Sequence, residues 1–417
     1  MPTVVLLGTL DTKGHEYAFV KDRLLEQGVA VVLVDAGVLG SPVVEPDITR
    51  EQVAEAAGVD LAQLVAANDR GAAIDAMSRG AAETVTRLFA AGRLDGALGL
   101  GGSGGSTLVS QALRGLPIGV PKLLVSTVAA GDTRPYVGAT DLTMMPSVVD
   151  IAGINRISER ILANAAAAIA GMAKAPKYET ATAGAKPLVG ATMFGVTTPG
   201  VTAARERLEA LGYEVLVFHA TGTGGDTMEA LIESRFITAV LDLTTTELAD
   251  EVAGGTLAAG PRRLEVAGAL GIPQVVSLGA LDMANFGPIE TVPERYAGRN
   301  LYKHNASITL MRTNPEENAE IGRRIARKLN AARGPLTLFI PLGGISMIAK
   351  PGGVFADPEA DAALIGALKK HLDPSVDVRE LDTDVNDPAF AHAMADTLHA
   401  HYQTWQRQRA TDAPVTS

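Results

Sequence analysis

Short apolar runs that end in a glycine-bearing loop and pass into a helical stretch recur from one end of this chain to the other, and no other feature constrains the fold as tightly. Val4–Leu7 leads to a helix near Glu16–Gln27, to Gly28 at a helix C-cap position, and to the apolar run Val29–Val34. That is a strand–helix–strand unit, because a strand buried on both faces reads as a continuous apolar run without polar alternation. The series continues with an N-cap in Asp47–Glu51, a helix over Gly71–Ala91, a strand at Ala97–Leu100, a helix over Thr107–Leu113, a strand at Leu123–Ser126 and an Ala-rich helix over Val148–Met172. Residues 174–186 are polar, rich in Ala and Thr and without period, which predicts a linker. The series then restarts with Leu188–Ala191, a helix near Val201–Leu211, Gly212 and Glu214–Phe218. Further strands are predicted near Ala239–Leu243, Gln274–Ser277, Ser307–Met311 and Leu336–Ile340, with a closing helix over Pro388–Arg407.

The expected fold class is therefore α/β, with two similar open parallel sheets in residues 1–173 and 187–408 and a flexible tail over 409–417. The halves echo one another: Leu7-Gly8-Thr9 answers Gly190-Ala191-Thr192, and Pro121–Ser126 answers Pro273–Ser277. A duplication would explain this, as would the general likeness of any two α/β domains. Ligands on such sheets bind beyond the C-terminal strand ends, and two such edges facing each other would form an interdomain cleft.

A net charge of −11 argues against nucleic-acid or anionic-membrane partners, which call for basic surfaces. With no Cys, thiolate chemistry, disulfides and Cys-held metals are excluded. The N-terminus lacks the basic and apolar regions of a signal peptide, and no apolar run is long enough to span a bilayer, so a cytoplasmic location is expected.

The candidate chemistry sits at strand ends. Gly101-Gly102-Ser103-Gly104-Gly105-Ser106-Thr107 follows a strand and opens a helix. Such a loop lets backbone amides and a helix N-terminus meet an anion, which predicts phosphate or carboxylate binding. It is not a P-loop, since no Gly-Lys-Ser/Thr follows, and no acidic residue stands where a dinucleotide fingerprint needs one. At the end of the first strand, Asp11 and Lys13 suit a cation or hydroxyl and a phosphate, or simply form a solvated capping turn. Asp35 at the end of the second strand suits a ribose hydroxyl. Gly131, Asp132 and Thr133 follow the fourth, with Asp132 the candidate metal ligand. In the second half, Thr221 and Gly222 lie in another Gly-rich loop, Thr244, Thr245 and Thr246 form a hydroxyl cluster beside Glu247, and Lys303 sits in a loop. His219, Glu247 and His304 are the candidate acid–base residues.

Several stretches together resemble a known family of uncharacterised proteins. They include Gly8-Thr9-Leu10-Asp11-Thr12-Lys13-Gly14, the 101–107 loop, Pro117–Lys122, Gly131-Asp132, Tyr136-Val137-Gly138 and Val149–Arg156, with Met193–Pro199 and His219–Gly222 in the second half. The family is typified by the N-terminal ATP-binding domain of the tomato mosaic virus resistance protein. The resemblance runs to about residue 400 and departs at Ser106, where Thr is expected. It implies two Rossmann-like subdomains, ATP binding in the first and homodimers, with the nucleotide at Asp11, Lys13, Asp35, residues 101–107 and Gly131–Thr133. The leading expectation is thus an ATP–Mg²⁺ binding protein. The alternative is an enzyme that acts on a small carboxylated or phosphorylated metabolite and uses the nucleotide as cosubstrate or regulator.

Overall fold

Each apolar run read as a strand pairs with parallel neighbours in one of two sheets, with one exception. The computed structural model describes residues 1–175 and 184–412. The chain divides into two units, Met1–Tyr178 and Glu179–Ser417. Most of the expected linker lies outside the described residues, and Lys174 itself closes a helix.

The N-terminal unit holds β1 (Thr3–Gly8), β2 (Ala30–Asp35), β3 (Gly96–Gly101), β4 (Lys122–Ser126) and β5 (Thr143–Pro146), in the order β2-β1-β3-β4-β5. Its helices are α1 (Leu10–Glu26), α2 (Arg50–Ala56), α3 (Leu61–Ala67), α4 (Arg70–Ala90), α5 (Ser103–Leu113), α6 (Arg134–Val137) and α7 (Arg156–Lys174). Successive strand side chains go to opposite faces. Val4 and Leu6 pack with Tyr17 and Val20 of α1 and Leu162 and Ile169 of α7. Val5 and Leu7 pack with Val53 of α2, Met77 of α4 and Val109 of α5. The chain leaves β1 for β2 on one side and later crosses to β3 on the other, so its direction of travel reverses between β1 and β3. Their pairing stops at Leu7 and Gly99, and beyond it the strands part.

Three helix starts differ from expectation. α7 begins at Arg156 rather than Val148, because Asn155 caps it: its side chain accepts the Ile157 and Ser158 amides, and Ser158 Oγ accepts the Asn155 amide. The preceding segment has left-handed backbone at Val148 (φ 65°) and Gly153 (φ 81°), which a helix does not accommodate. α1 and α5 begin early, at Leu10 and Ser103, so residues expected in loops form first helical turns.

The second unit holds β6 (Leu188–Met193), β7 (Glu214–His219), β8 (Ala239–Thr244), β9 (Gln274–Gly279), β10 (Met283–Phe286), β11 (Leu301–Lys303), β12 (Thr309–Arg312), β13 (Leu336–Pro341) and β14 (Asp377–Leu381). Six of them form a parallel sheet, β14-β13-β9-β8-β6-β7. The run expected at 307–311 is the exception: as β12 it pairs antiparallel with β10 and β11 in a separate small sheet. Helices α8 (Thr198–Ala210), α9 (Thr223–Glu233), α10 (Glu247–Ala253), α11 (Val266–Leu270), α12 (Pro315–Asn330), α13 (Pro358–His371) and α14 (Pro388–Asp412) complete it. α14 takes in residues 409–412 of the expected tail. Here too the second strand lies beside the first, and the third and fourth follow on its other side. No helix among the described residues is long and apolar enough to cross a membrane.

Candidate functional site

A cavity of about 640 Å³ opens at the switch between β1 and β3, where open α/β sheets take their ligands. Thr9, Asp11, Thr12 and Lys13 supply one wall, Gly101–Gly105 a second, and Leu64, Val65, Ile74 and Met77 of α3 and α4 an apolar third.

Gly102 caps α5 without any side-chain hydrogen bond. Bonding along the helix starts where Ser106 N donates to Gly102 O at 2.8 Å, so Ser103, Gly104 and Gly105 carry the leading amides. Those amides have no partner inside a helix, and the positive end of the helix dipole favours an anion. Space, not left-handed backbone, requires glycine at 101 and leaves little room for a side chain at 104. A Cβ on Gly101 would sit 2.6 Å from the Gly105 carbonyl carbon, and one on Gly104 would sit 3.3 Å from Arg70 Nη2. Two residues of the 101–107 loop expected to touch the ligand do not line the cavity. Ser106 is buried and pairs its hydroxyl with Ser126 Oγ at 2.6 Å, and Thr107 Oγ1 donates to the Ser103 carbonyl one turn back.

The acids divide by what they already hold. Asp35 is buried: its Oδ1 accepts the amides of Leu10 and Gly37, and its Oδ2 accepts Arg50 Nε at 2.7 Å. No oxygen remains for a ribose hydroxyl, so its work is to fix the strand ends. Arg50 also donates to the carbonyls of Leu39 and Gly40, which fastens the loop behind the cavity. Asp11 Oδ2 accepts the Leu39 amide at 2.8 Å, whereas its buried Oδ1 has no hydrogen-bond partner. Lys13 Nζ donates to the Ile151 carbonyl, and Glu16 accepts the Gly153 amide, so α1 clasps the segment before α7. Asp132 lies outside the cavity lining, with Gly131 and Thr133. Arg134 binds both Asp132 oxygens, and those bonds hold its carboxyl down to about 2. Among the described residues no group of three His, Asp or Glu is placed to hold a metal.

The second unit has a loop of similar sequence with a different occupant. Gly222 and Gly225 at the start of α9 donate their amides to Glu247 Oε1 at 2.8 and 3.0 Å. Glu247 Oε2 accepts Arg263 Nε at 2.6 Å, and Arg263 reaches both oxygens of Asp242. The anion at this loop is the protein's own carboxylate, which is buried and fully engaged. Thr244, Thr245 and Thr246 are also buried, with Thr244 paired to Thr197 and Thr245 donating to the Ser277 carbonyl. His219 is exposed at the end of β7, edge-on to Phe194, with Thr221 Oγ1 donating to its carbonyl. His304 and Lys303 are exposed on the β11–β12 hairpin. The three candidate acid–base residues thus occupy three different settings.

Arg50, Arg70 and Arg263 escaped the sequence reading. The partners of Arg50 and Arg263 lie on other elements of the fold, no hydrogen bond or ion pair engages the Arg70 guanidinium among the described residues, and nothing in the local pattern marks the three.

The N-terminal domain of the uncharacterised protein family UPF0261 matches residues 2–178, and its C-terminal domain matches residues 186–402. A UPF0261 protein of Clostridium tetani is 53% identical over 396 residues, 95% of this chain and 98% of that protein. The ToMV resistance protein Tm-1(GCR237) of Solanum lycopersicum is 40% identical over 418 residues, with 95% of this chain but 55% of the tomato protein covered. Among solved structures, MurG of Acinetobacter baumannii aligns over 96% of this chain at 12% identity, with a TM-score of 0.21, too low to carry an argument.

Proposed function

The chain belongs to the uncharacterised protein family UPF0261, and from that premise we propose that its N-terminal unit binds a nucleotide, ATP with Mg²⁺, in the β1/β3 cavity. One observation carries the reading: the uncapped N-terminus of α5 faces a cavity whose opposite part is apolar, so one ligand can present an anion to the first and a flat apolar group to the second. The second half of the chain supports it by contrast, since its own Gly-rich loop already holds Glu247.

The residues present fit the proposed cofactor. Mg²⁺ keeps much of its water and takes one or two carboxylates beside phosphate oxygens, so a cage of protein ligands is not required. Asp11 would hold it, because its unpaired Oδ1 is a buried acceptor that costs free energy until something completes it. Calorimetric titration with ATP, with and without Mg²⁺, tests the proposal; no heat at millimolar ligand would sink it.

The second reading, an enzyme acting on a small carboxylated or phosphorylated metabolite, keeps His219, which is exposed at a strand end. It loses Glu247 as a proton carrier, since that carboxylate answers three donors. The homodimer implied by the resemblance is part of the proposal, and sedimentation velocity over a concentration series tests it.

A further inference from the structure

We propose that α3 is a lid over the cavity and that Arg70, directly behind it in the chain, is the specificity-determining cation that latches the lid onto a bound anion. The inference rests on the preceding reading only in taking the cavity as an anion site.

The first ground is the packing of α3. No residue of this helix is fully buried, and only the half-buried Leu61 and Leu64 pack against the neighbouring core among the described residues. The cavity lies on one side of it, and on another lies an open groove of about 570 Å³ that reaches Glu51 of α2 and Val59. Val65 lines both spaces and is itself half exposed. A helix with so little buried apolar contact belongs to the least stable part of a fold, and here it has room to move.

The second ground is how its ends are built. Gly58 (φ 71°) precedes the helix and Asn68 (φ 49°) follows it, both in left-handed backbone where the chain turns sharply. Inside those bends α3 is capped in its own right, with Asp60 accepting the Ala62 amide. It is therefore suited to move as a rigid piece between two bends.

The third ground is Arg70. It is exposed and lines the cavity, and no hydrogen bond or ion pair engages its guanidinium among the described residues. Its Nη2 lies 3.3 Å from where a Gly104 Cβ would be, beside the α5 amides. Asp69 caps α4 by accepting the Gly71 and Ala72 amides, which sets Arg70 at the joint between lid and helix. An anion held by the α5 amides then meets the guanidinium, and that contact draws the 58–69 segment inward. Asp11, buried with one unpaired oxygen on the opposite wall, is an independent sign that the cavity takes a ligand.

The test is hydrogen–deuterium exchange over residues 61–67 of the full chain, with ATP and with inorganic tripolyphosphate, paired with calorimetry. Slower exchange with either probe is expected. It should be lost in Arg70→Gln, whose affinity falls about tenfold for one charged hydrogen bond removed. Heat without protection overturns the lid and leaves the nucleotide reading standing. Protection by tripolyphosphate with no ATP heat keeps the lid and removes the nucleotide. Protection that persists in Arg70→Gln overturns the latch, and neither heat nor protection with either probe overturns both.

Discussion

The hydroxyl of Tyr17 accepts the amide of Leu100 at 2.7 Å. It also donates to the Leu7 carbonyl at 2.6 Å, so a side chain of α1 takes over the β1–β3 ladder where the strands part. The cavity exists because the strands part there, and Tyr17 keeps the opened backbone groups paired. Burial pushes its pKa up, which keeps the proton on the oxygen. Gly8 is required for the same reason, since a Cβ there would fall 1.9 Å from the Tyr17 oxygen.

Tyr17→Phe leaves the Leu100 amide buried without a partner. The expected cost is about 1–3 kcal/mol, the penalty of one unsatisfied buried donor. Urea denaturation measures it, and an unchanged midpoint would contradict the role given to the hydroxyl.

Gly104→Asp should abolish nucleotide binding while the protein stays folded. The new Cβ would lie 3.3 Å from Arg70 Nη2 and from Ile74 Cδ1, so its carboxylate would pair with Arg70 and occupy the anion's place. Gly102→Ala is the control for bulk, because a Cβ there meets nothing nearer than Thr127 Oγ1 at 3.7 Å. Calorimetry on both variants, beside circular dichroism for the fold, separates the outcomes. Wild-type affinity in Gly104→Asp would remove α5 from the site.

The two parallel sheets were legible in the sequence because a strand buried on both faces leaves a continuous apolar run, as Val4–Leu7 and Leu123–Ser126 do. Thr309–Arg312 has the same local character, and only its partner strand makes it antiparallel. At the site, the glycines of 101–105 stood out because few contexts need so many together. The acids misled: Asp35 and Glu247 sit where ligand-binding acids sit, but each answers amides and an arginine of its own fold. A carboxylate that binds a ligand and one that ties down a loop look alike until the tertiary partners, Arg50 and Arg263, are known.

Arg263→Met should destabilise the second half of the chain by about 3–5 kcal/mol, the usual result of removing one partner from a buried ion pair. Asp242 and Glu247 would each lose the one cation that pairs with them among the described residues, in a setting where neither reaches water. If Glu247 served only in proton transfer, this substitution would spare stability, so a denaturation curve that overlays wild type would restore the catalytic reading of Glu247.

Stability should also fall as pH rises through the range set by two buried carboxyls. Burial lifts Asp250 from 3.8 to about 7 and Glu229 from 4.5 to about 7. Because the folded pKa exceeds the unfolded one, the native state holds these protons more tightly and unfolding releases them. Their contribution is complete below the ordinary carboxylate range and is lost as pH rises through about 7. Asp250 isolates the effect. It accepts the amide and the Nδ2 of Asn285, whose own Oδ1 has no partner. Asp250→Asn therefore needs only a turn of the Asn285 amide to regain a matched pair, and it cannot ionise. Relative to wild type, the variant should gain stability between about pH 5 and about pH 8, read as the difference in urea midpoints at the two values. If that difference does not change with pH, Asp250 holds no proton in the folded protein that the unfolded chain releases, and its burial does not make stability depend on pH.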